Sequence, residues 1–166
     1  MGSKLSENKK LEKATFAAGC FWQVEEIFRP LKGVKETIVG YTGGDFPNPT
    51  YENVCSGKTG HAEAVEVMYD SAEISYEELI RAFWEGHDPT QLNRQGQDVG
   101  AQYRSAIFYY TPEQKKLAEE AKNNLAKSRK YKSPIVTEIV PACEFWKAED
   151  CHQKYLAKRG LSTCPI

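Results

Sequence analysis

The chain has 166 residues, 40% of them hydrophobic and 27% charged, with 22 Lys and Arg against 23 Asp and Glu. That length suits one domain with a real core, and the composition excludes disordered and fibrous classes. The balanced charge gives nucleic acid no electrostatic footprint, and no apolar run approaches the ~20 residues that cross a bilayer, so neither nucleic acid nor a membrane is an expected partner.

Residues 1–13, MGSKLSENKKLEK, are polar and Lys-rich without an apolar h-region. They read as a flexible tail rather than a secretory or transit sequence, and a cytoplasmic location is expected, with a single domain over 14–166. Residues 15–19 (TFAAG) read as a short buried strand. Phe21, Val24, Ile27, Phe28 and Leu31 then follow at helical spacing, a helix that Pro30 and Gly33 end. Residues 34–41 (VKETIVGY) are rich in β-branched side chains and predict a second strand. The Gly-, Pro- and Asn-rich stretch 42–60 is a loop of the length at which loops tend to be functional.

Residues 62–69 (AEAVEVMY) predict a third strand, with Glu63, Val65, Val67 and Tyr69 on one face. Ser75 and Glu78 form a capping-box pattern that opens a helix through Trp84, and residues 103–110 (YRSAIFYY) make a further strand. The order βαββαβ is that of a ferredoxin-like core, an α+β fold with a mainly antiparallel sheet. Thr111 and Pro112 predict the N-cap and first residue of a helix to about Lys130, where the basic run KSRKYK suits a helix C-terminus. A strand at 135–140, a last helix over 148–159 and a flexible C-terminal tail, LSTCPI, complete the reading.

Five cysteines at 20, 55, 143, 151 and 164 show no CxxC and an odd count, so reduced thiols are expected. Cys20 follows a glycine at a strand-to-helix turn, where the positive end of the helix dipole favours the nucleophilic thiolate. Judged alone, it is equally a thiol packed in the core. Phe21 and Trp22 come next; adjacent aromatics on a helix do not share a face, so one can wall the thiol and receive a small apolar group such as an S-methyl. Glu63, on the face of Val65 and Val67, is predicted to be desolvated and so to hold its proton into the range of a general acid, unless the strand edge leaves it in water.

Three other patterns fail. SGKTG at 56–60 lacks the P-loop glycine at position 52, where Glu52 stands, and no helix is predicted after it. His61 with Glu63 gives the HxE of zinc deaminases without their PCxxC. Cys143, Cys151, His152 and Cys164 have no spacing of a common zinc site. Two rival functions remain: a cysteine hydrolase pairing Cys20 with His61 or His152, and a non-enzymatic module that binds oxidised or apolar side chains.

GCFW at 19–22, NPTYENVCSGKTGHAE at 48–63, HDPTQ with RQGQDVGAQYRSAIFY at 87–109, and AEDCHQKYL at 148–156 together resemble the peptide methionine sulfoxide reductases of the A type. The resemblance runs in order from about Thr15 over nearly the whole chain. It implies Cys20 as nucleophile, Phe21 and Trp22 as the substrate-binding pocket for the methyl group, and Glu63 as acid. Tyr51 and Tyr103 match the tyrosines that hydrogen-bond the sulfoxide oxygen, and Asp98 matches an acidic residue of the same site.

The implied reaction reduces the S epimer of methionine sulfoxide, free or in proteins, and leaves Cys20 as a sulfenic acid. The chain departs from the family's longer Gly-rich tail, and Cys164, near the end of the tail, is the expected resolving thiol. Cys151, where the family often has tyrosine, is the competitor, read as a packed helical substituent; Cys55 and Cys143 are read as structural. Thioredoxin is the implied reductant, no metal or organic cofactor is required, and a monomer is expected.

Overall fold

The computed structural model describes residues 11–161, so the expected tail carrying Cys164 and residues 1–10 lie outside the described residues. Leu11–Lys13, expected in the N-terminal tail, instead begin strand β1 (Leu11–Ala18). They do so because β3 (Ala62–Asp70) extends far enough to pair them, Leu11 lying opposite Asp70. Helix α1 (Phe21–Phe28), strand β2 (Val34–Thr42), the short helix α2 (Tyr51–Cys55) and β3 follow. Helix α3 (Tyr76–Glu85) then leads to a hairpin of two-residue strands, β4 (Arg94–Gln95) and β5 (Asp98–Val99). Strand β6 (Ser105–Tyr109), helix α4 (Pro112–Lys127), strands β7 (Glu138–Pro141) and β8 (Phe145–Lys147) and helix α5 (Tyr155–Lys158) complete the described chain.

Among the described residues six strands form one sheet in the order β7-β6-β1-β3-β2-β8, and β4 and β5 pair separately. The inner run β6-β1-β3-β2 is antiparallel throughout and has the strand order that a βαββαβ chain produces. Beyond it β8 adds an antiparallel edge, whereas β7 runs parallel to β6. The sheet is therefore mixed, which corrects the ferredoxin-like, mainly antiparallel expectation at the β7 edge. The parallel pair has a physical cause: the 16-residue helix α4 crosses over between β6 and β7, a connection that returns the chain in the same direction.

One face of the sheet carries the main core. Phe16 on β1 stacks on Phe28 of α1 with ring centroids 4.7 Å apart and meets Phe83 of α3 at 5.2 Å. Val39, Val65, Val67 and Ile107 are buried in the same cluster. The other face is built from Ala17, Ala62, Ala64, Ala106 and Phe108, against which Ala142 and Phe145 of the β7–β8 segment pack. Small side chains there allow that irregular segment to lie close to the strands.

The capping boxes are as local chemistry dictates. The Ser75 side chain accepts from the Glu78 N–H, and Thr111 with Pro112 opens α4. The expected last helix over 148–159 is replaced by a 3-10 turn at Asp150–His152, a left-handed Lys154 (φ 55°) and the four-residue α5. Competing hydrogen bonds break it. The Gln153 carboxamide bonds both the N–H and the C=O of Val39 on β2, each at 2.9 Å, and the buried Glu25 carboxylate accepts the Lys154 N–H at 2.8 Å.

Candidate active site

The turn from β1 to α1 places Cys20. Gly19 adopts φ +103°, a conformation L side chains rarely take, and a Cβ there would come within 2.8 Å of the Gln95 Cβ. Cys20 is the N-cap of α1, its carbonyl accepting from the N–H groups of Gln23 and Val24 at 3.0 and 3.1 Å. The next N–H, that of Phe21, points across the sheet and donates to Glu63 Oε1 at 3.1 Å.

Glu63 is 1% exposed, as its place on the apolar face of β3 predicts. Burial pushes its pKa up to about 8, the Phe21 N–H opposes that shift, and the Asp98 charge adds to it. The carboxyl is thus mostly protonated at neutral pH. The Phe21 N–H can only donate, so Oε1 is the carbonyl oxygen and Oε2 carries the proton. Oε2 is buried and has no hydrogen-bond partner among the described residues, so it is a buried donor that lacks an acceptor.

The remaining residues close around this pair. Phe21 is buried, its ring 6.3 Å from that of Tyr51 and 5.6 Å from that of Tyr41. Tyr51 begins α2, a short helix within the expected loop 42–60, opened by a capping box of Thr50 and Asn53. Tyr103 ends the 3-10 turn Ala101–Tyr103 before β6. Both phenols are held in their neutral, donating form, by burial first and then by repulsion from Glu63. Asp98 on β5 lines a cleft of about 260 Å³ together with Cys20, Gln95 and His87, and burial raises its pKa too. The structure therefore brings together Cys20, Phe21, Trp22, Glu63, Tyr51, Tyr103 and Asp98; Cys164 lies outside the described residues.

Trp22 shows what the sequence reading missed. Its indole N–H donates to His152 Nδ1 at 3.0 Å, and its ring stacks on Tyr155 at 3.7 Å with planes 5° apart. His152 also packs on Tyr51 at 4.4 Å, and Glu149 accepts from the Tyr41 hydroxyl at 2.8 Å and the Tyr51 N–H at 3.0 Å. The segment 149–155 is a wall of the site; the AEDCHQKYL block signalled its importance without its contacts. Cys151 lies on the same turn with its side chain exposed, so the reading of a packed helical substituent is corrected.

Neither histidine considered as a base for Cys20 fits that task. His61 uses both ring nitrogens on backbone, Nδ1 accepting from Gly44 N–H at 3.1 Å and Nε2 donating to the Phe46 carbonyl at 2.8 Å. His152 Nδ1 is occupied by Trp22. Among the described residues no group of three or more His, Cys, Asp or Glu side chains is placed to hold a metal ion, and no helix is long and apolar enough to cross a membrane.

A cysteine at the start of a helix beside a neutral buried carboxyl is the constellation of a thiol-dependent enzyme whose reaction places a proton on a departing atom. The chain belongs to the peptide methionine sulfoxide reductase family, whose model matches residues 12–166, and it is accordingly an oxidoreductase acting on methionine sulfoxide. It is 56% identical over 160 residues to the peptide methionine sulfoxide reductase MsrA of Geobacter sulfurreducens, covering 96% of this chain and 99% of that one. Among solved structures it is similar to Mxr1 from Saccharomyces cerevisiae in reduced form, with a TM-score of 0.86, 34% identity, and 93% and 89% of the two chains covered. The structure of Mxr1 in complex with Trx2 matches with a TM-score of 0.63 and 25% identity, covering 95% of this chain and 88% of that one.

Proposed function

We propose that this reductase acts on the S epimer of methionine sulfoxide through Cys20, with Glu63 as the acid. The observation that carries the reading is the Glu63 Oε2–H, buried and without an acceptor beside the thiol-bearing turn. A sulfoxide oxygen is a strong acceptor and would complete it.

In this reading Phe21 and Trp22 hold the S-methyl group, and the hydroxyls of Tyr51 and Tyr103 donate to the oxygen. Tyrosines kept neutral by burial are suited to that task. The Cys20 thiolate attacks the sulfoxide sulfur as Glu63 transfers its proton to the oxygen. The S–O bond and the new S–S bond then break as the hydroxyl passes to the Cys20 sulfur, leaving Cys20 oxidised to a sulfenic acid and the substrate sulfur reduced to the thioether of methionine. Cys164 then condenses with the sulfenic acid, releasing water and forming a disulfide, which the dithiol of thioredoxin reduces by exchange. The complex of the yeast protein with Trx2 supports that reductant.

The test supplies the purified protein with separate S and R sulfoxide epimers of a blocked methionine and dithiothreitol, with Cys20→Ser as control. Product from the S epimer alone, lost in Cys20→Ser, is expected. Product from neither epimer with folded, reduced protein would overturn the reading.

A further inference from the structure

The hairpin that brings Asp98 to the site has little apolar anchorage: Leu92 and Val99 are 67% and 63% exposed. Hydrogen bonds hold it instead. Gln95 Oε1 accepts from the Asp88 N–H and Gln95 Nε2 donates to the Asp88 carbonyl, both at 2.9 Å. The Asp88 carboxylate is in turn bound by the Thr90 N–H and hydroxyl and by Gln91 Nε2, while Gln91 Oε1 accepts the Gly96 N–H at 2.8 Å. The stem of Gln95 lies against Gly19, the residue before Cys20, so closely that a methyl on that glycine would collide with it. Across the hairpin, Gln95 pairs with Asp98.

We infer that Gln95 is a positioning residue that ties the Asp98 strand to the Cys20 turn and so fixes where the Asp98 carboxylate stands in the site. It lies against Gly19 through its methylenes and bonds the backbone of Asp88 through its amide, and it lines the cleft together with Cys20 and Asp98. The inference rests on the reading of Glu63 as the acid. A loosened hairpin takes a negative charge away from Glu63, and the acid then gives up its proton at lower pH. Besides Asp98, the groups Tyr41, Tyr51, Tyr103 and Cys55, on β2, α2 and the turn before β6, interact with Glu63, and Cys20 stands one residue before the Phe21 N–H that bonds it. Tyr103 is the one joined to the hairpin, its turn packing on β4 and β5, so the Asp98→Asn background is what separates loss of the Asp98 charge from movement of that turn.

The test follows the Glu63 carboxyl directly by carbon-13 NMR as a function of pH, assigned through Glu63→Gln, so it reads the site without turnover. Gln95→Met keeps the methylene contact with Gly19 and removes both amide hydrogen bonds; Gln95→Ala removes both contacts. Each variant is expected to shift the Glu63 titration toward the ordinary carboxylate range, and Asp98→Asn is expected to do the same. In the Asp98→Asn background Gln95→Met should add little further shift. An unchanged titration in Gln95→Met and Gln95→Ala, or an equally large shift with Asp98 already neutral, overturns the inference. Loss of sulfoxide reduction in Glu63→Gln is a separate readout. If that variant reduces sulfoxide at the wild-type rate, the reading of Glu63 as acid fails while the titration still reports what Gln95 does.

Discussion

Burial that lifts the Glu63 pKa to about 8 bears both on the acid role proposed for it and on stability, and both effects can be read by varying pH. The role proposed for Glu63 as proton donor requires its protonated form, so kcat/KM is expected to fall as pH rises above about 8. Glu63→Gln keeps the size of the side chain and a donor N–H but supplies no proton. It should reduce the S epimer roughly 10²-fold more slowly, at the low end of what general acids contribute, and lose that alkaline limb. For stability the folded-state pKa is raised above the unfolded value of 4.5, so the folded protein holds the extra proton. The contribution is complete below about 4.5, falls as pH climbs and is gone once the folded pKa near 8 is passed. Urea unfolding should therefore show wild type weakening over that window relative to Glu63→Gln. A constant stability difference between the two from pH 5 to 9 would mean that Glu63 titrates normally.

At the scale of single elements the turn before α1 is the most demanding piece of backbone near the site. Gly19→Ala would place a side chain at φ +103° and drive its Cβ into Gln95, which is expected to cost about 1–3 kcal/mol in backbone strain before the collision is counted. Thermal unfolding should drop by several degrees, at about 2–4 °C per kcal/mol for a domain of this size, and alkylation of Cys20 should change in rate. Unaltered stability and alkylation would show that the turn accommodates a side chain. This turn, the inner strands and α3 were legible because their signals are local: a glycine before the helix, alternation along β3, a capping box at Ser75 and Glu78. Of the seven residues gathered at the site, Cys20, Phe21, Trp22 and Glu63 were also marked by local chemistry, whereas Tyr51, Tyr103 and Asp98 came from the family resemblance alone. Other features were not legible, because long-range bonds decide them. No local pattern shows that Gln153 would bond Val39, 114 residues earlier, or that Glu25 would capture the Lys154 N–H and stop a helix. The three-residue β8 offers too short a pattern to read, and the parallel course of β7 depends on where α4 returns the chain.

For the molecule as a whole the open question of chemistry is which thiol resets Cys20, and the packing of the C-terminal segment bears on it. Cys151 is exposed, yet its turn is tied down on both sides. Glu149 bonds Tyr41 and Tyr51, His152 bonds Trp22, Gln153 bonds β2, and Glu25 takes the Lys154 N–H. A disulfide needs Cα atoms about 4.4–6.8 Å apart with matched geometry, so any approach of Cys151 that requires movement would dismantle the walls around Trp22 and Tyr51. Cys164 lies outside the described residues, and the role proposed for it does not require the bonds of the segment 149–155 to break. Cys164→Ser is accordingly expected to give one equivalent of methionine per enzyme at the wild-type rate and then to stall with thioredoxin, while Cys151→Ser turns over as wild type does. Rapid-quench measurement of the first turnover, followed by steady-state assay with thioredoxin, separates the two. Sustained thioredoxin-driven turnover in Cys164→Ser, abolished by adding Cys151→Ser, would transfer the role to Cys151 and imply that the segment 149–155 unlocks from β2 and α1 in every cycle.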